Sequence, residues 1–165
     1  QSLYMGFGSG ITAGTTGIQL QNRGANFSLE PGHPNEVAPG RRPYHTIIPG
    51  FITRGGRPWA SFGVMGGFMQ PQGHLQVGIN LVDFDMDPQA ALDAPRFNWL
   101  QGRDVALEPG VGVKVREELA RRGHALLPAD AAVHYGGGQV IVRDPESGVL
   151  VAGSEPRNDG AAAGF

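Results

Sequence analysis

A layered α/β domain with largely antiparallel strands is the fold class that the sequence predicts. Three observations carry it: a strand–turn–strand pattern over 47–64, helix-period apolar residues directly after it, and a second strand–turn–strand pattern over 139–152. At 165 residues the chain reads as one domain, 1–165, long enough to bury a core and short for two.

Residues 1–16 are loop-like, punctuated by Gly6, Gly8, Gly10 and Gly14. Ile18 and Leu20 alternate with Gln19 and Gln21, which predicts a half-buried strand over Gly17–Asn22. Pro31, Pro34, Pro39, Gly40 and Pro43 then make 30–45 a long loop, the kind that often carries function. Ile47–Thr53 and Pro58–Val64 flank Arg54-Gly55-Gly56-Arg57, whose glycines suit the positive-φ positions of a tight hairpin turn.

After Met65-Gly66-Gly67-Phe68, Pro71 fits the first turn of a helix, and Leu75, Ile79, Val82 and Met86 fall on one face. A helix is therefore expected over 71–86, and a shorter one over Pro88–Ala94, stopped by Pro95. Val105–Leu107 reads as a strand. Gly110–Arg122 reads as a helix with Val111, Val115 and Leu119 on one face and Gly123 just past its end. His124–Leu127 is expected as a strand, and Gln139–Arg143 and Val149–Ala152 as a hairpin across Asp144-Pro145-Glu146-Ser147-Gly148.

Composition narrows the function classes. A net charge of −2 gives no long-range attraction to nucleic acid or to an anionic membrane. No apolar run is long enough for a transmembrane helix. The absence of cysteine excludes disulfides, thiolate metal sites and a cysteine nucleophile. A chain that begins at Gln1 rather than Met is expected to be processed, truncated or excised.

Gly66-Gly67, between a buried strand and a helix start, lets backbone N–H groups approach a ligand with no Cβ in the way. Such a nest suits a carboxylate, a phosphate or the oxyanion of acyl transfer; the alternative is a glycine turn required only for packing. Gly6-Phe7-Gly8-Ser9-Gly10 lacks the Lys-Ser/Thr ending of a phosphate loop, and no serine sits in a Gly-x-Ser-x-Gly elbow. His33, His45, His74, His124 and His134 show no metal-ligand spacing; His45 stands apart by its place in the long loop. Asp83, Asp85 and Asp87 read as a solvated face, as do Arg121-Arg122 and Glu117-Glu118, while Arg41-Arg42 remains a candidate ligand grip.

Several motifs then fall in the order of one family. Phe7-Gly8-Ser9-Gly10-Ile11 followed by Gly17–Asn22 is similar to the early small-subunit segment of γ-glutamyltransferases. Asn26-Phe27-Ser28 resembles the end of a motif closing in Asp-Asp-Phe-Ser, and Arg42-Pro43 resembles that family's Lys-Arg-Pro. Gly66-Gly67 matches its oxyanion pair, and Ala94-Pro95-Arg96-Phe97 and Glu155-Pro156-Arg157 with Gly164-Phe165 match its Ala-Pro-Arg segment and its tail.

The resemblance implies part of an αββα sandwich of the N-terminal-nucleophile hydrolase type. It implies a self-cleaving precursor whose new N-terminal threonine is the nucleophile and whose α-amine is the base, a scheme with no cofactor and no metal. That threonine matches no residue of this chain and would lie shortly before Gln1, so the chain alone is expected to be inactive. The implied partners are the large subunit of the same precursor and a small γ-glutamyl or related amide; neither nucleic acid nor membrane is implied. Without that subunit, the chain is expected to self-associate or to be marginally stable.

Gly66 and Gly67 would form the oxyanion hole, and Arg23, Asn26, His45 and Thr46 would line the acyl pocket, with Tyr4 approaching it. Arg23 and Asn26 replace the family's residues that grip the substrate α-amine, and His45-Thr46 replaces its Ser-Ser. Arginine repels an ammonium and pairs bidentately with a carboxylate, which points to a glutaryl-like acyl group as in cephalosporin acylases. The competing readings are an Arg23 that turns outward and a non-catalytic structural half of a heterodimer.

Overall fold

Two consecutive glycines fix the first hairpin. Gly55 and Gly56 have φ of 56° and 75°, as a type I′ turn requires, and they join β1 (Gly50–Arg54) to β2 (Arg57–Met65). The computed structural model describes residues 2–128 and 131–164. It divides into two compact units, Gln1–Ile47 and Ile48–Phe165.

The second unit holds the regular structure. After β2 come α1 (Met69–Val82), α2 (Pro88–Asp93), β3 (Phe97–Gln101), β4 (Asp104–Leu107), α3 (Val113–Arg121), β5 (Ala125–Leu126), β6 (Gly137–Arg143) and β7 (Leu150–Ser154). One antiparallel sheet has the order β1-β2-β6-β7, and β2 and β6 pair from Ala60↔Val142 to Met65↔Gly137. A smaller sheet runs β3-β4-β5, antiparallel and then parallel. Both hairpins and all three helices therefore form where the sequence predicts them, within a few residues.

The core lies between the larger sheet and the α1–α2 pair, built from Trp59, Ala60, Val64, Val77, Leu81, Ala91, Leu92 and Val140. Two glycines set these distances. A Cβ on Gly73 of α1 would lie 2.5 Å from Val64 Cγ1, and one on Gly153 of β7 would lie 2.6 Å from the Pro88 carbonyl oxygen. At the start of α2, Asp87 caps the helix by accepting from the Gln89 and Ala90 amides, a role that the solvated-face reading missed.

Some expectations need correction. The inward face of α1 carries Met69, Gly73, Val77 and Leu81, whereas Leu75 and Val82 are exposed and Met86 lies beyond the helix end. The helix stops at Val82 because the chain turns at Asp85, with φ of 50°. β3 was not anticipated, since Phe97, Asn98, Trp99 and Leu100 lack strict alternation. No residue of α3 is buried; its face instead closes an apolar groove of about 630 Å³ with Phe97, Trp99 and Leu107. Arg121 and Arg122 both pair with Glu118 at 2.6 Å on the surface, as expected of ordinary surface charge.

The first unit is mostly irregular. A 3-10 helix spans Arg23–Asn26, and the strand expected over Gly17–Asn22 is reduced to a single bridge between Thr12 and Gln19. Ile18 and Leu20 are exposed there, so no buried face rewards longer pairing. Of the tail motif, Phe165 lies outside the described residues, as does Gln1.

Candidate functional site

The Gly66–Gly67 pair follows directly from the fold. β2 ends at Met65 and α1 begins at Met69, so a few residues must turn the chain from sheet to helix. Gly66 and Gly67 do so with φ of 139° and 60°, both in the region that side chains disfavour. The Gly66 and Gly67 carbonyls accept from the Met69 and Gln70 amides, at 3.1 Å each, and so start the helix. Their own N–H groups donate no hydrogen bond among the described residues.

The two glycines differ in their surroundings. A Cβ on Gly66 would meet Gly136 Cα at 3.1 Å, His134 Nδ1 at 3.2 Å and Met69 Cβ at 3.3 Å. A Cβ on Gly67 would meet nothing within 4 Å. One face of this turn is therefore backed by the 134–136 segment, while Gly67 borders open space. Unpaired N–H groups at a helix start favour an anion, or an oxygen on which negative charge develops.

Behind this turn lies a buried ionic network that sequence reasoning missed. Arg96 and Glu155 are both about 1% exposed and meet at 2.8 Å. Arg96 Nη1 also donates to the Tyr135 and Gly136 carbonyls, at 3.1 and 3.3 Å. Arg157 bridges Glu155 Oε1 at 2.7 Å and Glu108 Oε1 at 2.6 Å. Burial pushes the Glu155 carboxyl up, but hydrogen bonds from Arg157, the Gly138 amide and Arg96 outweigh it and hold it below the ordinary carboxylate value. The Ala-Pro-Arg and Glu-Pro-Arg texts were the available signal, since two arginines beside prolines in a charge-poor chain invite a search for carboxylate partners.

In the first unit, Arg23 does not turn outward. It is 5% exposed, its Nε donates to Thr46 Oγ1 at 2.6 Å, and Nη1 and Nη2 donate to the Ser2 carbonyl and hydroxyl at 3.1 and 2.9 Å. That leaves one N–H on each terminal nitrogen without a partner among the described residues. No carboxylate pairs with it there either. The guanidinium carbon stands 5.5 Å from the Tyr4 ring centre, and the Tyr4 hydroxyl donates to Asn26 Oδ1 at 2.7 Å. Asn26 Nδ2 is buried with no partner among the described residues. A hydrogen bond to Tyr4 raises the exposed Tyr44 phenol above its ordinary value.

Arg23, Thr46, Tyr4 and Asn26 thus form one contiguous cluster with Ser2. His45 is exposed, and among the described residues its side chain makes no hydrogen bond to that cluster. Ser2 gave no sequence signal, because its contact spans a loop. Arg41 and Arg42 are exposed. Among the described residues no group of His, Cys, Asp or Glu is gathered to hold a metal, and no helix is long and apolar enough to cross a membrane.

Comparison with known proteins adds a family. The model of the gamma-glutamyltranspeptidase family matches residues 1–165. A glutathione hydrolase-like YwrD proenzyme of Bacillus subtilis is 39% identical over 172 residues, covering 100% of this chain and 32% of the relative. An oxamate amidohydrolase proenzyme of Klebsiella pneumoniae is 36% identical, with 100% and 32% covered. The crystal structure of a cephalosporin acylase from Bacillus halodurans superposes with a TM-score of 0.89 at 55% identity, over 99% of this chain and 31% of that one. The chain spans about a third of the length of these relatives.

Proposed function

The chain belongs to the gamma-glutamyltranspeptidase family, and on that premise we propose that it is the C-terminal part of a self-processing amide hydrolase or transferase. The observation that carries this reading is the Gly66–Gly67 turn, whose N–H groups stand unpaired among the described residues at the start of α1. In this reading they receive the oxyanion as a nucleophile attacks the substrate carbonyl. The nucleophile is a threonine contributed by chain upstream of Gln1, with its own amine as base, so these 165 residues alone are inactive.

The partner is the remaining, larger part of the precursor. Phe51, Ile141 and Leu150 of the larger sheet are 63%, 46% and 65% exposed, apolar area that such a partner would cover.

Arg23 is a buried cation with no carboxylate partner among the described residues, a costly arrangement unless an anion arrives. We therefore assign Arg23, with Asn26, His45 and Thr46, to an acyl group that bears a carboxylate and lacks a free α-amine. A glutaryl-like amide meets both conditions. Oxamate, which the Klebsiella relative is named for, also carries a carboxylate and no α-amine.

The test is expression of the full-length gene, followed by mass analysis and assay of glutaryl and γ-glutamyl anilides. Two chains, the smaller beginning at a threonine shortly before Gln1, with faster turnover of the glutaryl anilide, are expected. A single uncut chain overturns the hydrolase reading. Comparable turnover of both anilides overturns the acyl assignment alone.

A further inference from the structure

Beside Gly66 stands an imidazole for which the hydrolase scheme has no use. His134 Nδ1 accepts a hydrogen bond from the Gly136 amide at 3.0 Å, closing a tight turn over 134–136. An imidazole nitrogen accepts only when it carries no proton, so this bond requires an unprotonated Nδ1.

The turn presses on the end of β2. Gly136 has φ of 79°, and a Cβ there would lie 2.6 Å from Val64 Cγ1 and 2.9 Å from the Met65 carbonyl oxygen. From the other side, a Cβ on Gly66 would lie 3.1 Å from Gly136 Cα and 3.2 Å from His134 Nδ1. The ring and its turn are thus the wall against which Gly66 is set.

The same residue is tied to the helix after Gly67. The His134 carbonyl accepts from Asn98 Nδ2 at 2.9 Å, and Asn98 Oδ1 accepts from Gln72 Nε2 at 3.2 Å. Gln72 lies near the start of α1, and its Oε1 accepts from the Trp99 amide at 2.7 Å. Arg96 holds the Tyr135 and Gly136 carbonyls.

We propose that His134 is a positioning residue for the oxyanion donors: its unprotonated Nδ1 holds the 134–136 turn against Gly66 and so fixes where the Gly66 and Gly67 N–H groups point. The inference rests on the reading of that glycine pair as oxyanion donors. Displacing donors by about 1 Å costs on the order of a hundredfold in rate, which makes a wall of this kind consequential.

The experiment compares His134→Leu, His134→Asn and Gly66→Ala in the full-length processed protein, measuring kcat and KM with a glutaryl anilide. His134→Leu removes the acceptor and is expected to lower kcat by about tenfold or more with KM little changed. His134→Asn supplies an oxygen that accepts the i+2 amide as in an Asx turn and does not titrate. It is expected to restore kcat.

Wild-type kcat in His134→Leu, or equal damage in His134→Asn, overturns the proposal. Gly66→Ala separates the two readings. If it lowers kcat while His134→Leu does not, the oxyanion assignment stands and the histidine's role falls; if it leaves kcat intact, the oxyanion assignment itself falls. Should His134→Leu fail to mature into two chains, the kcat of His134→Asn decides alone: near wild type upholds the proposal, and a loss of about tenfold overturns it.

Discussion

Arg96 Nη2 lies 2.8 Å from Glu155 Oε2, and their side chains are 2% and 0% exposed. Glu155 Oε2 also accepts from the Gly138 amide at 2.6 Å, while Oε1 accepts from Arg157 at 2.7 Å. Truncating Glu155 leaves Arg96 a buried cation held only by backbone carbonyls, and truncating Arg96 removes one of the two cations that hold the buried Glu155 carboxylate. Glu155→Ala and Arg96→Ala are each expected to destabilise the protein by about 3–5 kcal/mol, with the double variant costing less than the sum. Urea denaturation of the three variants measures this.

The same carboxylate makes stability depend on pH. Its folded-state value lies below the ordinary 4.5, so near that pH the unfolded chain binds the extra proton. Its contribution is complete above about pH 4.5 and is lost as pH falls through the depressed folded value. Urea midpoints of wild type and Glu155→Gln are therefore expected to stay apart at neutrality and to converge as pH falls below about 4.5.

Gly66 and Gly67 should respond differently to alanine. At Gly66 both the φ of 139° and the contact with Gly136 Cα oppose a side chain, whereas at Gly67 only the φ of 60° does. Gly67→Ala is expected to cost about 1–2 kcal/mol of stability, with Gly66→Ala costing more and losing more activity. Thermal melts and kcat of the two full-length variants give the comparison.

At Arg23, lysine keeps the charge and loses the fork. The bond from Nε to Thr46 and the paired contacts to Ser2 cannot all be remade by one ammonium. Arg23→Lys and Arg23→Met are both expected to lower kcat/KM for a glutaryl anilide, by about tenfold and about a hundredfold respectively, with less effect on the γ-glutamyl anilide.

At the start of α2, Asp87 Oδ1 accepts from both the Gln89 and Ala90 amides at 2.9 Å. Asp87→Ala is expected to cost about 1 kcal/mol, and Asp87→Asn or Asp87→Ser much less. Chemical denaturation checks the ranking.

Much of the second unit was legible because its signals are local. Gly55-Gly56, Asp144 with Gly148, Pro88 and Gly123 each fix a turn or a helix end within a few residues. The face of α1 was not legible, because apolar residues sit on two sides of that helix. The choice falls to Gly73, whose missing side chain admits Val64 of β2, a neighbour that periodicity does not register. Gly66-Gly67 was legible as a glycine pair before a helix. The grip of Ser2 on Arg23 and the wall formed by His134 were not, because both depend on contacts across loops.

The central ladder of the larger sheet joins β2 to β6, strands separated by roughly seventy to eighty residues of chain. The pairing β1–β2 and the pairing β6–β7 are local and can form early, but neither brings Gly137 to Met65. Closing that long loop is the slow, entropically opposed event in the unit's folding. Gly136 reaches Gly66 only through that closure, so the wall behind the Gly66–Gly67 turn forms no earlier than this ladder. A nascent chain therefore leaves the Gly66–Gly67 turn unbacked until the residues of β6 have been made.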